Sequence, residues 1–250
     1  WNTAKHQPTL CKILSRIQPG VTCEVEIYGK TDFATLRSRA ASPLRQGPSD
    51  LTERIFKSMN DGPIQELKPG AGKSGSGFGS TADSEFKIKF GLRNNMWMKE
   101  TDNLLALIKG QPDKTGAVPM SEYLQRHSRS LLNRYYGLVR VRIDDKDTFC
   151  LLMHDASYGA DGEAGRLKNA VVRYDLKGRS RSQTKKQDPG KTFTLLNGDF
   201  KVREHNELQL TNAQCHSFRE AIADDANWLG AHGMIDYSLF VLIAGQDASG

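Results

Sequence analysis

Cysteine is scarce in this 250-residue sequence, and its four cysteines lie far apart. Cys11, Cys23, Cys150 and Cys215 include no C-x-x-C pair, so the sequence predicts neither a disulfide framework nor a zinc site, and it favours a reducing compartment. The six histidines also lack H-E-x-x-H or any other metal-binding spacing. We therefore assign no chemistry to either residue type.

Long hydrophobic runs are absent as well. No apolar stretch approaches the about 20 residues that span a bilayer, and no charged-then-apolar signal pattern follows Trp1. Charged residues (26%) and hydrophobic residues (38%) are present in the proportions of ordinary globular domains. Because the sequence begins without Met, we expect it to be an excerpt of a longer protein.

Positive charge is concentrated in one segment, residues 179–191, of a chain whose net charge is +6. A solvated surface loop would explain this segment, and so would a site for nucleic acid, an acidic peptide or an anionic membrane. Few aromatic residues lie among the bases, which weighs against single-stranded nucleic acid. The segment contains the bases Arg179, Arg181, Lys185, Lys186 and Lys191 and one acid, Asp188.

Hydrophobic periodicity predicts an α+β fold with mainly antiparallel sheets, because no helix separates most of the consecutive strands. The last strand is almost continuously apolar, which predicts burial on both faces. Helices are predicted from Leu51 through Met59 and over 99–109, 121–136 and 211–233, and strands over 84–90, 137–143, 148–154, 167–178 and 237–245.

The helix 211–233 carries signals at both ends and along one face. Thr211 and Gln214 match a capping box, and Gly230 and Gly233 can end the helix. The expected apolar stripe consists of Cys215, Phe218, Ile222 and Leu229.

"GAGKSG" at 70–75 matches G-x-G-x-x-G, which alone is a weak signal. A dinucleotide site would need a helix directly afterwards, and a Walker A motif would need glycine where Leu67 stands. Two alternatives are left: a flexible surface hairpin, or a glycine flap between antiparallel strands, whose N–H groups can cover phosphates.

Lys89 lies 14 residues after Gly75, on the strand 84–90. A kinase uses a lysine at such a place as a point charge on nucleotide phosphates, and Glu100 could orient it through an ion pair. A solvent-facing lysine is the alternative, and Lys87 on the same strand face serves as its comparison.

Three further charged residues lie at strand ends. Asp236 directly precedes the last strand, where a carboxylate can accept a proton or hold a metal, although Asp is also common in turns. Asp175 and Lys177 share one strand face, so they can pair with each other or serve a bound nucleotide.

"YDLKG" (174–178) together with "MIDYSLFVLI" (234–243) resembles the two signatures of phosphatidylinositol phosphate kinases, DLKGS and MDYSLL. Further similarities follow in the family's order, and the resemblance extends over about residues 25–245. They are "DFATLRSR" (32–39), "LKPGAGKSGSGF" (67–78), "FKIKF" (86–90), "SLLNRYYGLVRV" (130–141), "CLLMHDASY" (150–158) and "GDF" (198–200).

This resemblance implies a two-lobed, protein-kinase-like lipid kinase fold that binds ATP and Mg²⁺ between the lobes. It implies a lead-in segment at 1–24, an N-terminal lobe at 25–154 and part of a C-terminal lobe at 155–250. The residues implied at the nucleotide are Gly72, Lys73, Ser74, Gly75 and Ser76 over the phosphates, Lys89 with Glu100, the linker from Met153 to Asp155, and Asp175 with Lys177.

By the same resemblance, Asp236 is the catalytic aspartate that faces the inositol hydroxyl and a candidate metal ligand. Arg179, Arg181, Lys185 and Lys186 would hold an anionic lipid headgroup. The implied partner is a phosphatidylinositol monophosphate in an anionic membrane, without nucleic acid, so we expect a cytoplasmic protein peripheral to the cytosolic face of membranes. Homodimerisation is left open.

The commonest activity in the family, 5-phosphorylation of the 4-phosphate lipid, is the one we expect. Two departures matter: Arg179 stands where the family has serine, and the family's last metal-binding aspartate and substrate-selecting loop would follow Gly250. We therefore expect this stretch alone to be inactive. The alternative is a catalytically inactive, phosphoinositide-binding pseudokinase scaffold. A protein kinase is disfavoured because H-R-D-x-x-x-x-N is missing, and no nucleic-acid recognition motif is present.

Overall fold

The computed structural model describes residues 23–28, 30–39, 51–62, 64–67, 77–92, 94–95, 98–143, 146–156, 171–177, 194–204, 208–235 and 237–244. No helix within these ranges combines the length and apolar character needed to cross a bilayer. The described helices are α1 Lys30–Arg39, α2 Leu51–Asn60, α3 Glu100–Lys109, α4 Met120–Arg126, α5 Asn197–Arg203 and α6 Asn212–Ala231.

The described strands form three sheets that are antiparallel at every pair except β10 with β9. One sheet has the order β1-β7-β8-β4-β3-β2, a second β10-β9-β11, and a third β5-β6. The predicted α+β fold with mainly antiparallel sheets is confirmed. The strands are β1 Cys23–Tyr28, β2 Gln65–Leu67, β3 Gly77–Ser80, β4 Phe86–Phe90, β5 Asn94–Asn95, β6 Met98–Lys99, β7 Tyr135–Ile143, β8 Lys146–His154, β9 Val171–Leu176, β10 Thr194–Leu196 and β11 Leu239–Ala244.

The six-stranded sheet has a hydrophobic cluster on each face because its central strands alternate apolar side chains between the two. We name each cluster after a helix that packs there. The α2 cluster comprises Ile55, Met59, Phe86, Ile88, Tyr136, Val139, Val141, Cys150 and Leu152. The α3 cluster comprises Phe33, Leu92, Leu104, Leu107, Ile108, Met120, Tyr123, Leu124, Leu138, Leu151, Met153 and Trp228.

The helix predicted over 121–136 is wrong in its second half, since α4 ends at Arg126 and β7 begins at Tyr135. A distant carboxylate holds the segment between them out of helical geometry. Asp225 of α6 accepts hydrogen bonds from the backbone N–H of Leu131 at 2.7 Å and from the hydroxyl of Tyr123 at 2.7 Å. Burial and this carboxylate raise the pKa of Tyr123.

Helix α6 begins with the predicted capping box, in which Thr211 accepts from the N–H of Gln214. Its predicted apolar stripe is wrong at Ile222, which is 36% exposed. The buried positions are instead Ala221, Asp225 and Trp228, because this face packs on α4 and on the loop before it. The indole N–H of Trp228 donates to the carbonyl of Val118 at 3.0 Å.

Strand β11 has no fully buried residue from Leu239 to Ile243, which corrects the prediction of burial on both faces. Val241 and Ile243 pack on a small third cluster around Tyr174. Phe240, which points to the opposite face, is 38% exposed.

We predict that Asp225→Ala lowers the free energy of unfolding by about 2 to 4 kcal/mol, because it leaves the Tyr123 hydroxyl and the Leu131 N–H without their acceptor. Asp224→Ala is the matched control. The Asp224 side chain is 51% exposed and pairs only with His127 among the contacts seen, so its loss should cost less than about 1 kcal/mol. Urea unfolding midpoints measure both, and equal costs would contradict the role of Asp225.

His232 predicts a pH dependence of stability. The ring is buried, with Nε2 3.1 Å from the Val118 carbonyl oxygen and Nδ1 3.2 Å from the Gln111 side-chain nitrogen. Burial lowers the pKa of His232, so the folded state prefers the neutral ring. Its contribution to stability is therefore present above the unfolded pKa, about 6.5, and is lost as the pH falls below it.

We expect the free energy of unfolding to fall as the pH drops below about 6.5, by at most about 1.4 kcal/mol per pH unit for this group, and the thermal midpoint to fall with it. His232→Gln should flatten that slope, and His216→Gln should not, because the His216 side chain is 77% exposed. His154 has a pKa lowered in the same direction by burial, so part of the slope should persist. Equal slopes in the wild type and His232→Gln would contradict the prediction.

Candidate functional site

Strand β4 presents Lys87 and Lys89 on the face opposite its buried residues, as predicted. Phe86 and Ile88 belong to the α2 cluster, so the two lysines point to the face of the α3 cluster. Cross-strand pairing sets Lys87 opposite Met153 and Lys89 opposite Leu151. Both lysine side chains are 21% exposed, which leaves their ammonium groups within reach of solvent or a ligand.

Lys89 forms the predicted ion pair with Glu100, with 3.3 Å between Nζ and Oε2. Glu100 is the first residue of α3, where the exposed N–H groups of a helix favour a carboxylate. The Glu100 side chain is 24% exposed. The first turn of α3 therefore stabilises the Glu100 carboxylate. Because both side chains are partly exposed, an anion can approach the Lys89 ammonium group.

The glycine segment joins two neighbouring antiparallel strands. β2 ends at Leu67, β3 begins at Gly77, and Leu67 pairs with Phe78. A strand rather than a helix follows the segment, which excludes a strand-to-helix phosphate loop and agrees with both predicted alternatives, a surface hairpin and a flap over phosphates. Lys89 lies on the second strand after the flap, because β3 and a tight turn come before β4. Gly72, Lys73, Ser74, Gly75 and Ser76 themselves lie outside the described residues.

The predicted linker, Met153 to Asp155, consists of the last two residues of β8 and the residue after it, and two of its backbone N–H groups donate to neighbouring segments. The N–H of His154 donates to the carbonyl of Arg134 at 2.9 Å, and that of Asp155 to the carbonyl of Glu85 at 3.0 Å. Met153 is buried on the same sheet face as Lys87, so it lies where an apolar ring could stack. The backbone N–H groups of His154 and Asp155 are already engaged and do not face such a ring.

An ion pair that the sequence did not predict joins the half-buried Lys87 to the buried Asp155, with 3.0 Å between Nζ and Oδ1. The hydroxyl of Ser80 donates to the other carboxylate oxygen at 3.4 Å. Lys87, used above as the solvent-facing comparison, is therefore engaged. Strand alternation predicted the face on which Lys87 lies. It could not predict the contact with Asp155, because that residue is 68 positions away in the chain.

Asp175 lies on the face of β9 opposite Tyr174 and Leu176, which pack in the third cluster, and Lys177 follows the last residue of the strand. Asp175 is half-buried between Leu196 and Phe240 on the neighbouring strands. Lys177 is exposed, and its backbone N–H donates to the side-chain oxygen of Asn197 at 2.9 Å. No direct Asp175–Lys177 ion pair is seen among the described contacts.

Several predicted site residues lie outside the described ranges. They include Asp236, the proposed catalytic acid and metal ligand, although its neighbours Ile235 and Tyr237 are 85% and 50% exposed. In the described part of the chain, no three His, Cys, Asp or Glu side chains are grouped closely enough to hold a metal. The basic residues Arg179, Arg181, Lys185 and Lys186 also lie outside the described ranges.

The comparison with family models gives one match, to Phosphatidylinositol-4-phosphate 5-Kinase, over residues 58–249. This match covers the flap, β4 with its lysines, the linker, β9 and β11. A comparison with curated proteins finds no match.

The matched region spans most of the chain and includes both signature segments. The antiparallel sheets and their helices agree with the α+β, kinase-like fold of lipid kinases. Phosphoinositide kinases as a class use ATP and a phosphoinositide lipid. On this match, the chain belongs to the phosphatidylinositol-4-phosphate 5-kinase family.

Proposed function

We propose that the protein transfers the γ-phosphate of ATP to the 5-hydroxyl of phosphatidylinositol 4-phosphate. The observation that carries the proposal is the Lys89–Glu100 ion pair, which lies on the strand next to the flap hairpin within the region matched by the family model. A lysine oriented by a helix glutamate is how kinases hold a positive charge on nucleotide phosphates.

The nucleotide lies along the sheet face that carries both lysines. The N–H groups of residues 72–76 cover its phosphates, and Lys89 neutralises them while Glu100 fixes the direction of the ammonium group. Met153 contacts the adenine ring. Lys177 approaches the phosphates from β9, with Asp175 beside it.

Asp236 accepts the proton of the inositol hydroxyl, whose oxygen attacks the γ-phosphorus as ADP leaves. Mg²⁺, when bound, neutralises charge that develops on the phosphoryl oxygens, and Asp236 is the residue of this chain that we propose as its ligand. Both carboxylate roles are compatible with the exposed surface around Ile235 and Tyr237, which leaves room for a headgroup.

The basic residues after Lys177 hold the protein on the cytosolic face of anionic membranes. Each exposed base near such a surface contributes about 1 kcal/mol of attraction. Arg179, Arg181, Lys185 and Lys186 together therefore attach the protein without inserting it. Homodimerisation would add a second such segment to the same surface and increase the attachment.

We predict that the full-length protein incorporates labelled phosphate from ATP into vesicles that contain phosphatidylinositol 4-phosphate. Lys89→Met and Asp236→Asn should each lower the rate by roughly 10²-fold or more, since each removes a group that acts on the reacting phosphate or hydroxyl. Assays on vesicles with each monophosphate isomer identify the substrate.

Lys99→Met is the matched control, because Lys99 lies beside Glu100 with a side chain 64% exposed. It should leave the rate within a factor of about two. A lipid product that survives Lys89→Met would refute the assignment. Vesicle binding without any product in the wild type would instead favour the pseudokinase scaffold, for which Arg179 in place of serine is the supporting feature.

Vesicle attachment gives a separate prediction. Replacing Arg179, Arg181, Lys185 and Lys186 with Gln should weaken binding to anionic vesicles by up to roughly 10³-fold at low salt. The four substitutions together remove an electrostatic attraction of about 4 kcal/mol, at about 1 kcal/mol for each base. Cosedimentation across a salt series measures this. Raising the salt should shrink the difference.

Four Gln substitutions at exposed bases elsewhere provide the control for net charge. If they weaken binding equally, general electrostatic attraction, rather than the segment after β9, attaches the protein. The control positions are Lys57, Lys99, Lys109 and Arg126.

A further inference from the structure

The two lysines of β4 have different acidic partners, although they lie on the same face about 7 Å apart along the strand. Lys89 pairs with Glu100 of α3. Lys87 pairs with Asp155, the last residue of the predicted linker, with 3.0 Å between the charged atoms. Strand β4 therefore carries Lys89, which is assigned to the phosphates, and Lys87, which contacts the linker.

Asp155 is more deeply buried than Glu100, the acid of the other ion pair. The Asp155 side chain is 3% exposed, whereas the Glu100 side chain is 24% exposed. A buried carboxylate is stable only when it is paired and hydrogen-bonded. Lys87 supplies the charge, and Ser80 supplies a hydrogen bond to the second oxygen.

The same residue is also held by its backbone, since the N–H of Asp155 donates to the carbonyl of Glu85. Ser80, Glu85 and Lys87 all belong to the hairpin of β3 and β4. The last residue of the linker is therefore attached to this hairpin by three polar contacts. These contacts extend the direct pairing of β4 with Met153 and His154 of β8.

We propose that Lys87 is a positioning residue that sets nucleotide affinity by fixing the linker through Asp155. This inference rests on the proposed function, in which Met153 contacts adenine and Lys89 contacts the phosphates. Lys87 lies opposite Met153 in the strand pairing, so the pair lies beneath the adenine end. Its loss moves the adenine contacts and leaves the phosphate contacts of Lys89 in place.

The burial of Asp155 gives the pair a distinctive mutational signature. Lys87→Met removes the cation 3.0 Å from a buried carboxylate, which raises the cost of keeping that charge in the site. Asp155→Asn keeps the side-chain shape and leaves the lysine partly exposed, where water can solvate it. Adding Asp155→Asn to Lys87→Met removes the buried negative charge as well, so the double variant should perform better than Lys87→Met alone.

The experiment uses the full-length protein. Calorimetry measures the Kd for ATP, and assays on vesicles that contain phosphatidylinositol 4-phosphate measure kcat and the KM for ATP. For Lys87→Met we expect Kd and KM for ATP to rise roughly tenfold with kcat changed less than about threefold. For Asp155→Asn, and for the double variant, the rise should be roughly threefold.

Asp147→Asn is the control for loss of an ion pair in the same sheet. Asp147 contacts Arg140 and Arg142 at 3.3 and 3.1 Å, at the exposed far end of β7 and β8. This variant should leave Kd and KM for ATP unchanged.

The outcomes separate this inference from the function on which it rests. If the wild type binds no ATP, the proposed function fails and the positioning role fails with it. If the wild type binds and uses ATP but Lys87→Met keeps its Kd and KM, only the positioning role is overturned. It is also overturned if the double variant is worse than Lys87→Met, or if kcat falls as much as KM rises, because both results indicate general structural damage.

Discussion

Burial of Phe86 and Ile88 is the constraint on which the geometry of the candidate site depends. Because side chains alternate along a strand, placing these two in the α2 cluster leaves Lys87 and Lys89 no other face. A slip of one residue in register would bury both lysines and expose both apolar side chains. The hydrophobic effect on one face of the sheet thus positions the charges on the other.

The sequence predicted features that depend on near neighbours. Strand β4 follows from alternation, and the start of α6 follows from Thr211 and Gln214, three residues apart. Sequence-based prediction failed where a residue far away in the chain determines the local structure. Asp225 holds Leu131 out of a helix across 94 positions, and Asp155 engages Lys87 across 68. No periodicity reports such contacts, because they depend on how the elements pack.

The two acids of the site differ in a way that matters for binding. Glu100 is partly solvated, so the Lys89 ammonium group can exchange this partner for a phosphate at modest cost. Asp155 is almost fully buried, and separating it from Lys87 would leave a charge without solvent. One strand therefore carries one lysine that can change partners and one that is fixed in place.

The docking of α6 on the segment around Tyr123 also constrains biosynthesis. Tyr123 and Asp225 are 102 residues apart in the chain, a length that a ribosome takes roughly 5 to 20 s to synthesise. During that interval Tyr123 and its apolar neighbours have no α6 to cover them. This face of the core can therefore be completed only after α6 has been synthesised, since Trp228 of α6 belongs to the same cluster as Tyr123.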